Sequence, residues 1–246
     1  MTMNKSKILV GFALLCCIMY AVFQFVETEK SLYLSDAFRA LVIPIITILY
    51  FINVKDKSIY FSGFLILYSL SELMCWVSPT IPTMLDYYTG NALYISAYVL
   101  LVYEILKSMN FVYVLKHYSV HLVVLTALST YIVTVLLKIV SPLVTGFEFM
   151  VEFVYNLITL LLLSVALINF IYRDSKKSLL MFFGALCIVF SEMIQIAYYY
   201  INTNKFVAEL LNLSYTGLLI GSFCFFYFQS KFVEEEMEED GIFVNS

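Results

Sequence analysis

The chain has few charged residues and few residues that interrupt helices. Charged side chains make up only 13% of its 246 residues, and it holds 4 prolines and 8 glycines. An ordinary soluble domain of this size is excluded, because such a domain needs many more charged side chains on its surface. The shortage of proline and glycine also argues against transporters that are built on helices broken within the membrane.

The same composition disfavours several kinds of site. The formal net charge is −4 and no basic face is evident, so we predict no nucleic-acid partner. The two histidines, His117 and His121, fall at one end of an apolar run and are interpreted as interfacial residues. The 5 cysteines lie inside apolar runs without a C-x-x-C pair and are interpreted as packing residues. We predict no metal and no cofactor, and the absence of a G-x-S-x-G motif disfavours serine-hydrolase chemistry.

Long apolar runs account for most of the chain. Hydrophobic residues make up 62% of it, and the mean hydropathy is +0.91. A hydrocarbon core about 30 Å thick is crossed by about 20 apolar residues in a helix. Eight segments meet this length: about 8–26, 37–54, 59–78, 90–107, 119–138, 149–172, 178–202 and 207–230. The sequence predicts an all-α integral membrane protein, with eight transmembrane helices in one polytopic domain over residues 1–230.

The basic residues predict the orientation of this domain. If the first span starts inside, ten of the 14 lysines and arginines fall on the inner side, which places both termini in the cytoplasm. Lys5 and Lys7 precede an apolar run as in a signal peptide, but no small-residue cleavage site follows, so we expect this span to be retained. Residues 231–246 form an acidic cytoplasmic tail, interpreted as solvated; docking to a basic partner is the alternative.

Two glutamates lie inside the predicted spans in closely similar local sequence. They are Glu72 in Ser71-Glu72-Leu73-Met74 and Glu192 in Ser191-Glu192-Met193-Ile194. An ionisable group in the middle of a bilayer is costly by a few kcal/mol and usually marks a functional site. Both fall about 20 Å from the inner ends of the third and seventh spans, at 1.5 Å per residue. We predict that they form one acidic site; a structural hydrogen-bonded pair is the alternative.

The similar local sequences around Glu72 and Glu192 also suggest that the chain consists of two four-helix halves. Spans one to four can be laid over spans five to eight, and the third span of each half then carries the Ser-Glu dipeptide. Upstream of it, Phe61-Ser62-Gly63 resembles Phe182-Phe183-Gly184. Because each half has an even number of spans, both would insert in the same direction, as parallel repeats.

Further polar residues follow the outer ends of the spans. Those that we expect to share the pocket with Glu72 and Glu192, as substrate-binding residues, are Arg39, Ser71, Tyr98, Glu152, Tyr155, Ser191, Gln195 and Asn212. They predict a pocket that opens toward the outer leaflet, with the glutamates at its floor and Arg39 near its mouth. For Arg39 and Glu152, the alternative is that they extend to water at the interface.

Several of these segments resemble the YhhN-type lysoplasmalogenase family. The matching segments are residues 39–44 at the opening of the second span, Leu70-Ser71-Glu72, Gly90 to Tyr98, Tyr155, and residues 184–192. The family carries aspartate where this chain has Glu72 and Glu192, and histidine where it has Tyr98. The resemblance implies an eight-helix protein of the bacterial inner membrane that hydrolyses the vinyl ether bond of a lysophospholipid.

Vinyl ether hydrolysis needs one protonated carboxyl group as general acid and one carboxylate that stabilises the cation and activates water. Glu72 and Glu192 are predicted to be these catalytic groups, and Arg39 to hold the lipid phosphate. Because removing one carboxylate relieves repulsion, we expect either Glu→Gln change to leave stability unchanged or raise it. The first alternative is a proton- or cation-coupled transporter or a lipid-binding membrane protein. The second is a membrane subunit or sensor whose acidic tail contacts a partner.

Overall fold

The structure is a computed structural model that describes residues 2–26, 29–142, 144, 146–200 and 204–232. Within these ranges the chain forms α-helices, two 3-10 turns and no strand. The helices are α1 (Thr2–Gln24), α2 (Glu29–Asn53), α3 (Ile59–Leu73), α4 (Thr83–Lys107), α5 (Phe111–His117), α6 (Ser119–Val140), α7 (Phe147–Arg173), α8 (Lys176–Tyr200) and α9 (Lys205–Gln229). Most of the predicted acidic tail, residues 233–246, lies outside the described residues.

Eight of these helices are long and apolar enough to cross a membrane, which confirms the predicted number of spans. Many large apolar side chains on their outer faces are exposed, as expected of a protein surrounded by lipid. The boundaries differ most from the prediction at the starts of two spans: the second begins at Glu29 rather than near residue 37, and the fourth at Thr83 rather than near residue 90. Hydropathy locates only the apolar middle of a span, whereas α4 extends through the polar residues Asp86 to Thr89.

Two features of the connections were not predicted. The helix α3 ends at Leu73 and continues as a 3-10 turn to Trp76, so that the chain tightens one residue after Glu72. The short helix α5 precedes α6, and its N-cap Asn110 accepts a hydrogen bond from the backbone N–H of Tyr113. Both features lie where apolar periodicity is too short to be informative.

The helices pack as a ring with two peripheral members. The order around the ring is α2, α3, α4, α7, α8 and α9, and α9 returns to pack on α2. Outside it, α1 packs on α2 and α6 packs on α7, and the spans of α1 and α6 are the least buried, at 11% each. We call the end of the bundle where α1 begins and α9 ends the near end, and the other the far end.

Aromatic side chains fill the middle of the ring. Phe64, Phe223 and Phe226 are fully buried, and the rings of Phe64 and Phe223 stack at 5.5 Å between centroids. The helix α8 approaches this cluster through Gly184, where a Cβ atom would lie 2.3 Å from the ring of Phe226. The cluster divides the interior into a far-end part, which contains the two glutamates, and a near-end part.

Candidate functional site

The helix order brings Arg39 and Glu72 to the same height in neighbouring helices. Arg39 lies 14 residues before the near end of α2 at Asn53, and Glu72 lies 13 residues after the near end of α3 at Ile59. Because α2 and α3 are antiparallel neighbours, both side chains lie about 20 Å from the near end, at 1.5 Å per residue. Arg39 therefore does not stay at the mouth of the site but reaches the level of the carboxylate.

Glu72 forms a buried ion pair. Nη1 of Arg39 lies 3.2 Å from Oε2 of Glu72, and the hydroxyl of Tyr94 donates a hydrogen bond of 2.9 Å to Oε1. Glu72 is 3% exposed and the arginine side chain 17%. A guanidinium and a hydroxyl on the two oxygens satisfy both acceptors, and the guanidinium supplies a positive charge beside the carboxyl group.

Glu192 has a different environment. Its Oε1 accepts a hydrogen bond of 2.9 Å from the hydroxyl of the fully buried Tyr98, and it also interacts with Tyr155. Glu192 is 9% exposed, and among the described residues no arginine or lysine forms an ion pair with it. Neutral donors orient this carboxyl group but do not balance a negative charge, which is expensive in a buried site. Glu192 is therefore the better placed of the two glutamates to carry a proton.

Tyrosine rings join the two carboxyl groups. Tyr94 and Tyr98 are one helical turn apart on α4, and each donates to a different glutamate. Tyr68 packs against both, with ring centroids 4.8 Å from Tyr94 and 5.9 Å from Tyr98. Within the described residues no hydrogen bond links Glu72 directly to Glu192, although the two carboxyl groups are close enough to interact electrostatically. Each has its own partners within one shared cluster.

The serines that precede the glutamates contact neighbouring helices. Ser71 donates a hydrogen bond of 3.2 Å to the carbonyl oxygen of Gly90 in α4, and Ser191 donates one of 2.8 Å to that of Tyr215 in α9. In both cases the hydroxyl of the Ser-Glu dipeptide fixes its helix to the next helix along the chain. The geometry of these two predicted substrate-binding residues is thus that of helix packing.

Three further predicted residues lie around this cluster. Glu152 in α7 accepts a hydrogen bond of 3.0 Å from the hydroxyl of Tyr87. Gln195, one turn beyond Glu192, is half-buried beside Tyr199. Asn212 lies on another side of the bundle, where its Oδ1 accepts a bond of 2.9 Å from Tyr20 of α1. The structure therefore groups Arg39, Tyr98 and Tyr155 with the glutamates, keeps Glu152 and Gln195 near them, and commits Asn212 to a contact between α1 and α9.

Some residues of the site were not predicted from the sequence. Tyr94 is the partner of Glu72, and its spacing of four residues from Tyr98 was an available signal.

Asp36 was not predicted either. It lies one turn before Arg39 and places Oδ1 3.7 Å from Nε of the arginine, and its side chain is 47% exposed. That Nε atom is buried, and among the described residues none accepts a hydrogen bond from it. The guanidinium therefore retains a donor that a bound anion can use.

The arrangement combines an ion-paired glutamate, a second glutamate that is bonded by tyrosine hydroxyls, and a cationic donor. Among the residues that the structure describes, no group of three or more histidine, cysteine, aspartate or glutamate side chains is placed to hold a metal ion. Two carboxyl groups with different partners can take part in proton transfer and in electrostatic stabilisation.

Fold and site together define the class: an all-helical, multi-pass membrane protein with a buried acidic site. Beyond the class, comparison with known proteins adds no relative, since no family model, no curated protein and no solved structure matches the chain.

Proposed function

We propose that the protein is a membrane-embedded hydrolase that cleaves the vinyl ether bond of a lysophospholipid. The observation that carries this proposal is the difference between the two glutamates. Glu72 has a guanidinium partner that favours its ionised form, whereas Glu192 has tyrosine hydroxyls. An acid and a carboxylate side by side are what the hydrolysis of such ethers requires.

The proposed reaction begins with proton transfer from Glu192 to the alkene carbon that does not carry the ether oxygen. The resulting oxocarbenium ion is stabilised by the negative charge of Glu72. Water then attacks the cationic carbon and gives up a proton to Glu72. The hemiacetal that results breaks its bond to the ether oxygen, which takes up a proton as the hemiacetal hydroxyl loses one. The products are an aldehyde and a glycerophospholipid alcohol. The proton that Glu72 took from water then passes to Glu192, which restores both groups.

Arg39 and Tyr98 have defined roles in this proposal. The buried Nε of Arg39 is an unused donor beside the ion pair and is suited to the phosphate of the lysolipid. Tyr98 occupies the position where the lysoplasmalogenase family carries histidine, and its hydroxyl is bonded to the proposed acid. This contact gives Tyr98 a role in orienting the proposed acid.

The proposal is tested with the purified full chain in liposomes. We expect aldehyde release from a vinyl-ether lysophospholipid, and much less from the lysophospholipid with an ester in the same position. A protein that is folded by circular dichroism but releases no aldehyde from any vinyl-ether lysolipid contradicts the proposal.

A second candidate function is proton-coupled transport. It is favoured by the aromatic cluster of Phe64, Phe223 and Phe226, which separates the acidic site from polar residues at the near end. A carrier needs such a barrier between two polar compartments. Proton flux in proteoliposomes that depends on an added solute, without hydrolysis, would favour this candidate.

We propose further that the chain is built from two parallel four-helix halves with both termini in the cytoplasm, in the bacterial inner membrane. Three equivalences support the halves. The first helix of each, α1 and α6, is peripheral. Ser71 and Ser191 each bond to the following long helix, and Gly63 and Gly184 face that same helix. Reporter fusions after Ile81 and at the C-terminus should report opposite sides of the membrane.

A further inference from the structure

A second polar pocket lies at the near end of the bundle, across the aromatic cluster from the glutamates. Its volume is about 130 Å³, enough for a small ligand. Its polar lining comes from four helices and the connections between them; among the lining residues are Ser58, Glu104, Asn169, Arg173, Ser178 and Gln229. None of these residues belongs to the acidic site. Ser178 and Glu192 are separated by about 21 Å along α8, at 1.5 Å per residue.

One side of this pocket favours negative charge. The connection from α7 to α8 is short, and Asp174 within it adopts a left-handed conformation with φ of 45°. This turn brings Arg173 beside the N-terminus of α8, where Ser175 and Ser178 cap each other through bonds of 3.2 and 3.1 Å from their backbone N–H groups. Nη2 of Arg173 is anchored by a bond of 2.6 Å to the carbonyl oxygen of Ser108. A fixed guanidinium and a helix N-terminus both attract an anion.

Acidic side chains also line this pocket. Glu104 lines it and accepts a hydrogen bond of 2.6 Å from Ser58 to its Oε2 atom. Asp56 is a further lining residue. With Arg173 and Lys177, the lining carries two acidic and two basic side chains. A ligand with a single charge would therefore meet side chains of like sign, whereas a zwitterion has a partner for both kinds.

An incompletely bonded amide points to a ligand in this pocket. Gln229, the last residue of α9, is 4% exposed and lines the pocket. Its Oε1 atom is buried and accepts no hydrogen bond from any of the described residues. Leaving a buried amide oxygen without a donor costs about 1–3 kcal/mol. A bound group with N–H or O–H donors would remove this penalty.

We propose that the near-end pocket binds a small zwitterion that carries a phosphate and an ammonium group, of the size of a phosphoethanolamine. The phosphate binds at Arg173 and the N-terminus of α8, and the ammonium binds between Glu104 and the Oε1 atom of Gln229. The same chemistry is offered by the headgroup of a membrane lipid and by a free metabolite. The site is distinct from the glutamate pair and does not depend on the function proposed for it.

The test uses the purified full chain in nanodiscs of phosphatidylglycerol, titrated by calorimetry. Three soluble probes are compared: glycerophosphoethanolamine, glycerol phosphate and ethanolamine. We expect saturable binding of the zwitterion, at least about tenfold tighter than either half, because the basic and the acidic side chains would each contribute more than about 1.4 kcal/mol. Equal affinity for glycerol phosphate, or no saturable binding of glycerophosphoethanolamine, overturns the proposal.

Variants separate a binding role from a structural one. Gln229→Leu removes the incompletely bonded amide, so the unliganded protein should be as stable as the wild type or more stable, while zwitterion affinity falls at least about tenfold. Loss of stability together with unchanged affinity contradicts the proposal. Arg173→Gln should weaken binding similarly. The matched control is Lys138→Gln, an exposed charge on α6, and Glu72→Gln should also leave this affinity unchanged.

A last arm identifies the source of the ligand. The affinity for glycerophosphoethanolamine is measured again in nanodiscs that contain phosphatidylethanolamine. A lower apparent affinity shows that the lipid competes for the pocket and assigns the pocket to a lipid headgroup. Unchanged affinity assigns it to a free metabolite. Failure of the hydrolysis assay would leave this binding result intact, and failure of zwitterion binding would leave the glutamate site intact.

Discussion

Glu72 and Glu192 follow a serine in the same dipeptide and lie in equivalent helices, yet their surroundings differ. Glu72 faces α2, which supplies Arg39. Nη1 of this arginine forms an ion pair of 3.2 Å with Oε2 of Glu72. Glu192 contacts Tyr98 of α4 and Tyr155 of α7, which supply hydroxyl groups. The difference comes from the neighbouring helix and not from the local sequence. Two similar motifs can therefore serve as a carboxylate and an acid.

The largest effect is expected when either carboxyl group is replaced. Glu72→Gln and Glu192→Gln keep the shape but remove one member of the proposed acid–carboxylate pair. Each should lower vinyl-ether hydrolysis by about 10²–10⁴-fold, the usual contribution of a general acid or base. Because the two groups act as a unit, the double variant should be little worse than either single one. Aldehyde release in liposomes measures all three.

The matched control for these variants is Glu148→Gln, which changes a half-buried glutamate in the first turn of α7. It should retain near wild-type hydrolysis. Small and additive losses at Glu72 and Glu192, of the same size as in this control, would indicate that both are structural.

Stability should distinguish the two glutamates next. Glu72→Gln leaves the buried guanidinium of Arg39 with only Asp36 at 3.7 Å, so we expect a loss of about 2–3 kcal/mol, near the lower end for broken buried pairs. This revises, for Glu72, the expectation from the sequence that removing a carboxylate would not destabilise. Glu192→Gln should leave stability unchanged or raise it. Unfolding in detergent and denaturant measures the difference.

A double-variant cycle sharpens this result. Arg39→Met alone should destabilise the protein as Glu72→Gln does, because it leaves the carboxylate buried without a cation. The combined variant should recover much of the loss. Additive losses would show that Arg39 and Glu72 are not coupled in the membrane.

The tyrosines should show a smaller form of the same contrast. Tyr98→Phe removes a hydroxyl from Glu192, which has no cation, whereas Tyr94→Phe leaves Glu72 with Arg39. A hydrogen bond to a buried carboxyl group contributes about 1–2 kcal/mol. Tyr98→Phe should therefore lower hydrolysis about tenfold, whereas Tyr94→Phe should lower it only a few-fold because Arg39 still holds Glu72. Equal losses in the rate of aldehyde release would remove the distinction between the two sites.

The glycines should have the smallest effect on hydrolysis, because they lie outside the acidic site, and their effect should be on stability. A Cβ atom at Gly184 would lie 2.3 Å from the fully buried ring of Phe226, whereas one at Gly63 would meet only the terminal Cδ1 of Leu100, at 2.8 Å. Gly184→Ala should destabilise by about 1–3 kcal/mol through overpacking. Gly63→Ala should be nearly neutral, because a flexible leucine can move and alanine favours the helix by up to about 1 kcal/mol. Thermal unfolding compares them, and a reversed order contradicts the packing of the two halves.

Apolar length could predict the number of membrane-spanning helices. Hydropathy identified eight spans because lipid imposes a minimum apolar length on every helix. Hydropathy placed the start of α4 too late, near residue 90, whereas the helix begins at Thr83. The polar end of a helix at the membrane interface carries no apolar signal. Hydropathy could not predict the ring order, in which α4 packs on α7 and α9 on α2, since periodicity identifies a buried face but not the helix that covers it.

The candidate site was predictable in part. The cost of an intramembrane charge was enough to single out Glu72 and Glu192. The ion pair with Arg39 was predictable in principle, because both residues lie at the same distance from the near end, but pairing requires knowing that α2 and α3 are neighbours. Tyr94 was missed because a tyrosine in a chain with 20 of them carries little information until its partner is seen.

In the proposed mechanism, Glu192 carries the proton and Glu72 the negative charge. Infrared difference spectroscopy of the full chain, with isotope-labelled glutamate, reports the carbonyl stretch of protonated carboxyl groups directly. At neutral pH in nanodiscs we predict one buried protonated glutamate signal that is retained in Glu72→Gln and lost in Glu192→Gln. A signal that is lost in Glu72→Gln and retained in Glu192→Gln would contradict this assignment of the proton.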